Sequence, residues 1–264
     1  MRPVLFLLVF GLLAFPVTGF TAPQALHYEI YAGGIHALSA DLDIERGTKN
    51  YHVTFNAKPY GVIGSLLPWG GVYDTKGQVV KNDFVPTSFN KVSQWREDHD
   101  TDSFVYKNGK LISQTERDET KKPVVTKNIP IDPALTANSV DILTGTARLL
   151  KQADAGKACD FGTIVYDGRR RYTLQFRDKG TETLQASQYN SFSGPTKICE
   201  IEMIPIAGFP KKPKGYYKIQ EEARTRGQLP RVWIGQVSGF HVPVKLMVKS
   251  EMGAVLIHLQ NSAR

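Results

Sequence analysis

The sequence predicts a mainly β chain: one long antiparallel sheet with a single α-helix laid on its concave face. Short runs from Leu26 to Leu259 alternate apolar and polar residues, the period of half-buried strands. Asn108-Gly109 stands between Phe104-Val105-Tyr106 and Leu111-Ile112, the dipeptide that favours a two-residue hairpin turn. The one persuasive helical spacing falls in residues 139–151.

Residues 1–19 read as a signal peptide rather than fold. Met1-Arg2 gives a positive start, and Val4 to Phe15 is an apolar run of about a dozen residues, short for a bilayer span. Pro16 ends the run, and Val17-Thr18-Gly19 puts small or modest residues where a signal peptidase reads. Cleavage is expected after Gly19, which leaves residues 20–264 as a single domain. An uncleaved anchor is the competing reading. No cysteine follows the apolar run, so a lipoprotein is not expected.

The first strand is Leu26-His27-Tyr28-Glu29-Ile30-Tyr31, turned by Gly33-Gly34. From Ile35 to Ile44, the face with His36, Leu38, Ala40, Leu42 and Ile44 is expected to be buried. Arg46-Gly47-Thr48 turns into Tyr51 to Phe55, with Tyr51, Val53 and Phe55 on one face. Lys58 to Gly71 breaks the alternation, being apolar yet loaded with Gly and Pro. It reads as a wide turn under an open end of the sheet, or as an exposed apolar loop at a cavity mouth. Under the second reading Tyr60, Leu66, Leu67 and Trp69 form a ligand-binding rim.

Further strands are expected at Val79-Val80, at Asp83 to Phe89 and from Trp95 onwards. Asp98, Asp100 and Asp102 have the opening spacing of a calcium loop. Ser103 then stands where the turn glycine belongs and Gly109 where the bidentate glutamate belongs. A solvated strand edge is the better account. Asp132-Pro133 introduces the helix, with Ser139 expected as N-cap and Asp141 in the first turn. Val140, Leu143, Ala147 and Leu150 share a face, and Gly156 is placed for a C-cap.

Cys159 and Cys199, the two cysteines of the chain, bound a β-meander and are expected to pair. Two free buried cysteines are the alternative. Within the meander, turns are expected at Asp167-Gly168 and near Asp178-Lys179-Gly180. Arg169-Arg170-Arg171 reads as a solvated hairpin end or as an anion contact. Lys211, Lys212 and Lys214, in the connection from Pro205 to Gly215, read the same way. Strands are then expected to begin at Tyr216-Tyr217-Lys218-Ile219, at Val232 and at His241, with a start or bulge at Pro243, and Gly253 to Leu259 closes the sheet.

Lys plus Arg is 33 against 25 for Asp plus Glu, a net charge of +8. In an exported protein the polyanions within reach are anionic lipid, lipopolysaccharide or peptidoglycan, not nucleic acid. General solubility is the plainer reading. No two of the six histidines have metalloprotease spacing, and no serine-hydrolase elbow occurs. Carboxylate pairs such as Glu221-Glu222 or Glu116-Asp118 leave a cell-wall hydrolase open. No metal and no cofactor are expected.

The order of motifs resembles a family of proteobacterial envelope proteins of unknown function, three-one-zero-eight in the domain-of-unknown-function series. The resemblance rests on Tyr28-x-x-Tyr31 with Gly33-Gly34, Tyr51-x-Val53, Pro86-Thr87-Ser88-Phe89 and Val140-Asp141-Ile142-Leu143. Cys159 ahead of Val165-Tyr166-Asp167-Gly168-Arg169-Arg170, then Cys199-Glu200 and Pro243-Val244, complete it. It implies a periplasmic location and an open β-barrel or β-spiral, similar in outline to the periplasmic carriers of lipoproteins, with a helix in the concavity. The expected function is a non-catalytic envelope protein, monomeric, that binds a lipid, another amphiphile or an envelope partner, with peripheral membrane contact. A structural or assembly factor is the alternative class.

Overall fold

In the computed structural model, which describes residues 24–62, 68–96, 98–212, 216–250 and 253–260, the strands form one antiparallel sheet. They are β1 (Gln24–Ala32), β2 (Ile35–Arg46), β3 (Asn50–Pro59), β4 (Trp69–Val80), β5 (Asp83–Trp95), β6 (Asp98–Lys107) and β7 (Lys110–Asp118). After these come β8 (Val125–Asn128), β9 (Asp160–Tyr166), β10 (Arg171–Leu184), β11 (Gly194–Ala207), β12 (Arg231–Val237), β13 (Phe240–Ser250) and β14 (Gly253–Leu259). The helices are α1 (Pro133–Thr136), α2 (Ile142–Asp154) and α3 (Tyr216–Thr225).

The sheet order is β8-β7-β6-β5-β4-β3-β2-β1-β14-β13-β12-β11-β10-β9. First and last strands thus meet in mid-sheet through β1 and β14, while β8 and β9 are left as edges. The ladder does not close, and the fold is an open barrel. Side chains bridge the seam instead. Gln114 of β7 donates to the Gly168 carbonyl at 3.0 Å and accepts from the Tyr166 hydroxyl at 2.9 Å. Val140 covers the outer edge of β9, pairing with Val165 in parallel.

The strands form where alternation predicts them. Leu26, Tyr28 and Ile30 of β1 face inward with Ala40, Leu42 and Ile44 of β2 and Tyr51 and Val53 of β3. Gly33 and Gly34 both take positive φ (58° and 86°), as do Asn108 and Gly109 (51° and 73°), the backbone that a tight hairpin between right-twisted strands requires. Gly77 serves close packing: a Cβ there would run into the Tyr51 ring and the Val85 carbonyl. Rings on the inner wall form an arc from Phe55 to Tyr73, Phe89, Phe104 and Tyr166, with successive centroids 5.9, 6.3, 5.3 and 6.1 Å apart. That arc carries the core across the seam.

The helix α2 lies in the concavity, its Leu143, Ala147 and Leu150 packed into the main core. The disulfide between Cys159 and Cys199 is formed. It sits in a second cluster with Leu149, Ala153, Phe176, Val232 and Ile234. The turn between α2 and β9 is thereby tied to β11.

Four local expectations are corrected. Ser139 is not the N-cap of α2; its hydroxyl donates to the Thr136 carbonyl, and Asp141 caps by accepting from the Thr144 amide at 2.8 Å. Residues 178–180 do not turn the chain: β10 continues to Leu184 through a bulge between Asp178 and Thr181. β6 is no sheet edge, since β5 and β7 flank it. Tyr217 to Ile219 is helical, in α3, because Gln220 and Ala223 bury one helical face while Glu221 and Arg224 pair on it. The Gly156 C-cap, with φ 74°, and the bulge beside Pro243 occur as expected.

Candidate functional site

Antiparallel order puts the β1–β2, β3–β4, β5–β6 and β9–β10 connections at one end of the barrel. α2 points its N-terminus toward that end, and its C-terminal part is held at the other. There Arg148 reaches Asp83 at 2.7 Å, and Asp154 takes Arg46 at 2.6 Å and the His241 amide at 3.0 Å. The plug therefore fills the closed end and leaves space above its first turn.

The first turn is fixed by a buried polar knot. Asp141 is fully buried and accepts from the Thr144 amide at 2.8 Å, the Thr144 hydroxyl at 2.6 Å and the Thr75 hydroxyl at 3.2 Å. Tyr51 joins through its hydroxyl, 2.7 Å from that of Thr144. A carboxylate at a helix N-terminus gains from the dipole, yet burial dominates and holds the Asp141 carboxyl above the usual range. Burial likewise raises the hydroxyls of Tyr51 and Tyr73.

Above this knot lies a cleft of about 550 Å³. Tyr73, Phe89, Tyr172 and Ile142 give it an aromatic and apolar wall. Asp167, Arg169 and Arg170 of the β9–β10 turn, with Lys91 of β5, stand around it. Size and lining suit a small-ligand site. Lys91 is ion-paired with Asp102 of β6, and Arg170 with Asp167 at 2.7 Å. Arg169 is 80% exposed, and its nearest carboxylate is Glu116 at 3.8 Å.

The expected rim residues are divided. Trp69 lies on the inner wall: its ring covers Gly71 beside Tyr73, four residues or about 13 Å further toward the open end. Tyr60 stacks on His36 at 3.8 Å, and His36 on Tyr31 at 5.0 Å. Those rings lie on the outer side, since Tyr31 bonds Glu29, on the face of β1 opposite Tyr28 and Ile30; His36, expected on the buried face of β2, is turned outward by the bulge where the register shifts between Ile30 and Tyr31. Leu66 and Leu67 lie outside the described residues, as do residues 1–19, the expected signal peptide. Ile35, Tyr60, Val62 and Trp95 are 45–79% exposed at the open end. The cleft residues Tyr73, Phe89 and Tyr172 were missed as a site because each reads as an ordinary inward strand residue. The signal that pointed there was Arg169-Arg170.

The acids considered for hydrolysis are engaged with cations. Glu221 pairs with Arg224, Glu222 with Lys218 and Arg226, and Asp118 with Lys121. Among the described residues no three His, Cys, Asp or Glu side chains are grouped to hold a metal ion, and no helix is long and apolar enough to cross a membrane.

Residues 27–260 match the family described as Protein of unknown function (DUF3108). No curated protein matches the chain. Among solved structures, the chain is similar to the crystal structure of a beta-barrel-like protein of the domain of unknown function DUF1849 from Brucella abortus. The TM-score is 0.45 at 10% identity, over 92% of this chain and 97% of that one.

Proposed function

The chain belongs to the DUF3108 family, and from that premise we propose a non-catalytic periplasmic protein that holds an amphiphile in its interior cleft. The observation that carries this reading is the space of about 550 Å³ left between the plug helix and the open end. A concavity of this size, with Tyr73, Phe89 and Tyr172 on one side and charged side chains at its rim, has the dimensions and the mixed lining of a small-ligand site. The buried Asp141 knot supports the reading further, because it stops α2 from rising to fill the space.

The exposed Ile35, Tyr60, Val62 and Trp95 around the open end suit contact with a membrane surface, where aromatic side chains meet both lipid and water. The disulfide supports an oxidising compartment, and the apolar segment at residues 4–15 supports export.

Native mass spectrometry on protein gently extracted from its own envelope tests the proposal. The expected spectrum has a bound lipid-sized mass that organic extraction removes and incubation with envelope lipids restores. A bare polypeptide mass before extraction, with no uptake afterwards, contradicts it. A stable protein partner recovered in place of lipid favours an assembly factor.

A further inference from the structure

The cations around the cleft are unequally matched. Lys91 has Asp102. Arg170 binds Asp167 through two of its nitrogens and lies over the Phe209 ring at 5.8 Å. Arg171 donates to the Ala134 carbonyl at 3.1 Å. Only Arg169 has no hydrogen-bonded acceptor for its guanidinium among the described residues, Glu116 at 3.8 Å being beyond hydrogen-bonding distance. A planar guanidinium with free donors takes phosphate or carboxylate in bidentate fashion. It stands on the β9–β10 turn at the open end, with Tyr73, Phe89 and Tyr172 lining the same cleft. An apolar group lying in the cleft would present its polar end to Arg169.

Volume limits the apolar part. About 550 Å³ lies inside the range of roughly 300–1,000 Å³ of pockets that hold one small ligand. That suits one acyl chain, not the two of a phospholipid or the several of a lipopolysaccharide.

We propose that the ligand of the cleft is a single-chain amphiphile with an anionic head, phosphate or carboxylate, engaged by Arg169. This rests on the reading of the cleft as an amphiphile site. Glu116 is the built-in competitor: it holds Arg169 weakly when the cleft is empty, as an exposed pair does, and yields it to a stronger acceptor.

Calorimetric titration of the delipidated protein with dodecyl phosphate, laurate, dodecanol and a two-chain phosphatidate, each below its aggregation concentration, tests this. Dodecyl phosphate or laurate is expected to bind about 10-fold tighter than dodecanol, a difference of about 1.4 kcal/mol. The member of the pair that shows the larger gap identifies the head group. Arg169→Ala is expected to remove that gap and leave dodecanol unchanged, and Glu116→Gln to widen it. Arg169 is exposed, so the variant keeps the fold, which circular dichroism verifies. Equal binding of charged and neutral chains, or a gap that survives Arg169→Ala, overturns the head-group assignment and leaves the cleft reading standing. Phosphatidate binding as tightly as dodecyl phosphate overturns the single-chain assignment. Failure of all four to bind overturns both.

Discussion

Reduction of the Cys159–Cys199 disulfide lowers the melting temperature by roughly 8 °C or more, taking about 4 kcal/mol from the chain-entropy treatment of a 40-residue loop and 2–4 °C per kcal/mol at this chain length. Cys199 is fully buried, and both cysteines pack with Leu149 and Ala153 of α2. The link therefore does more than shorten the unfolded chain. It anchors the segment that follows the plug helix to β11, so reduction also loosens the base on which the cleft stands. Differential scanning calorimetry with and without reductant, alongside a Cys159→Ala, Cys199→Ala double variant, checks the effect. A change below about 2 °C in both means that the surrounding apolar cluster holds the segment unaided.

Asp141→Ala is expected to cost about 1–3 kcal/mol, because it leaves the buried Thr144 amide without its capping acceptor and takes one partner each from the Thr144 and Thr75 hydroxyls, which keep Tyr51 and the Ser88 carbonyl. Loss of the cap frees the first turn of α2, and the helix tip settles into the cleft. Amphiphile binding falls together with stability. Asp141→Asn keeps a capping oxygen and loses less.

The comparison also has a pH signature. Burial holds the folded-state carboxyl above its unfolded value. The stability this confers is complete below the unfolded value near pH 3.9 and is lost as the pH rises through the raised folded value. Asparagine does not titrate, so Asp141→Asn gains on the native protein as pH rises from about 4 toward neutrality. Urea unfolding at pH 4 and pH 7 measures both effects. An alanine variant within about 0.5 kcal/mol of native, or an asparagine deficit that grows with pH, contradicts the role given to Asp141.

Much of this architecture was legible in the residues. Alternation from Leu26 to Phe55 located β1 to β3, because each strand has one face toward the core and one toward water. Asn108-Gly109 and Gly33-Gly34 marked their turns because each needs positive φ. The disulfide followed from two cysteines in a chain read as exported.

Tertiary context decided the rest. Tyr-Tyr-Lys-Ile has high strand propensity, yet α3 forms because Gln220 and Ala223 find a buried surface at helical spacing. The N-cap moved from Ser139 to Asp141 because Thr75 of β4 and Tyr51 of β3 supply partners far away in sequence. The cleft lies between elements distant in sequence, β4, β5, the start of α2 and the β9–β10 turn, and a one-dimensional pattern marks inward residues without marking what lies opposite them. Of the expected rim, Trp69 packs inward against the core, whereas Tyr60 in the same Gly- and Pro-rich setting faces outward, stacked on His36 at the end of β3, and neither lines the cleft.

Whether a chain enters the space above the plug helix is tested most directly by photo-crosslinking with a fatty acid that carries a diazirine near its tail. Label is expected on Tyr73, Phe89 or Tyr172, and excess unlabelled laurate should displace it. Label confined to outward residues such as Val72 or Val105, or labelling that laurate does not compete, would mean that no chain enters the barrel.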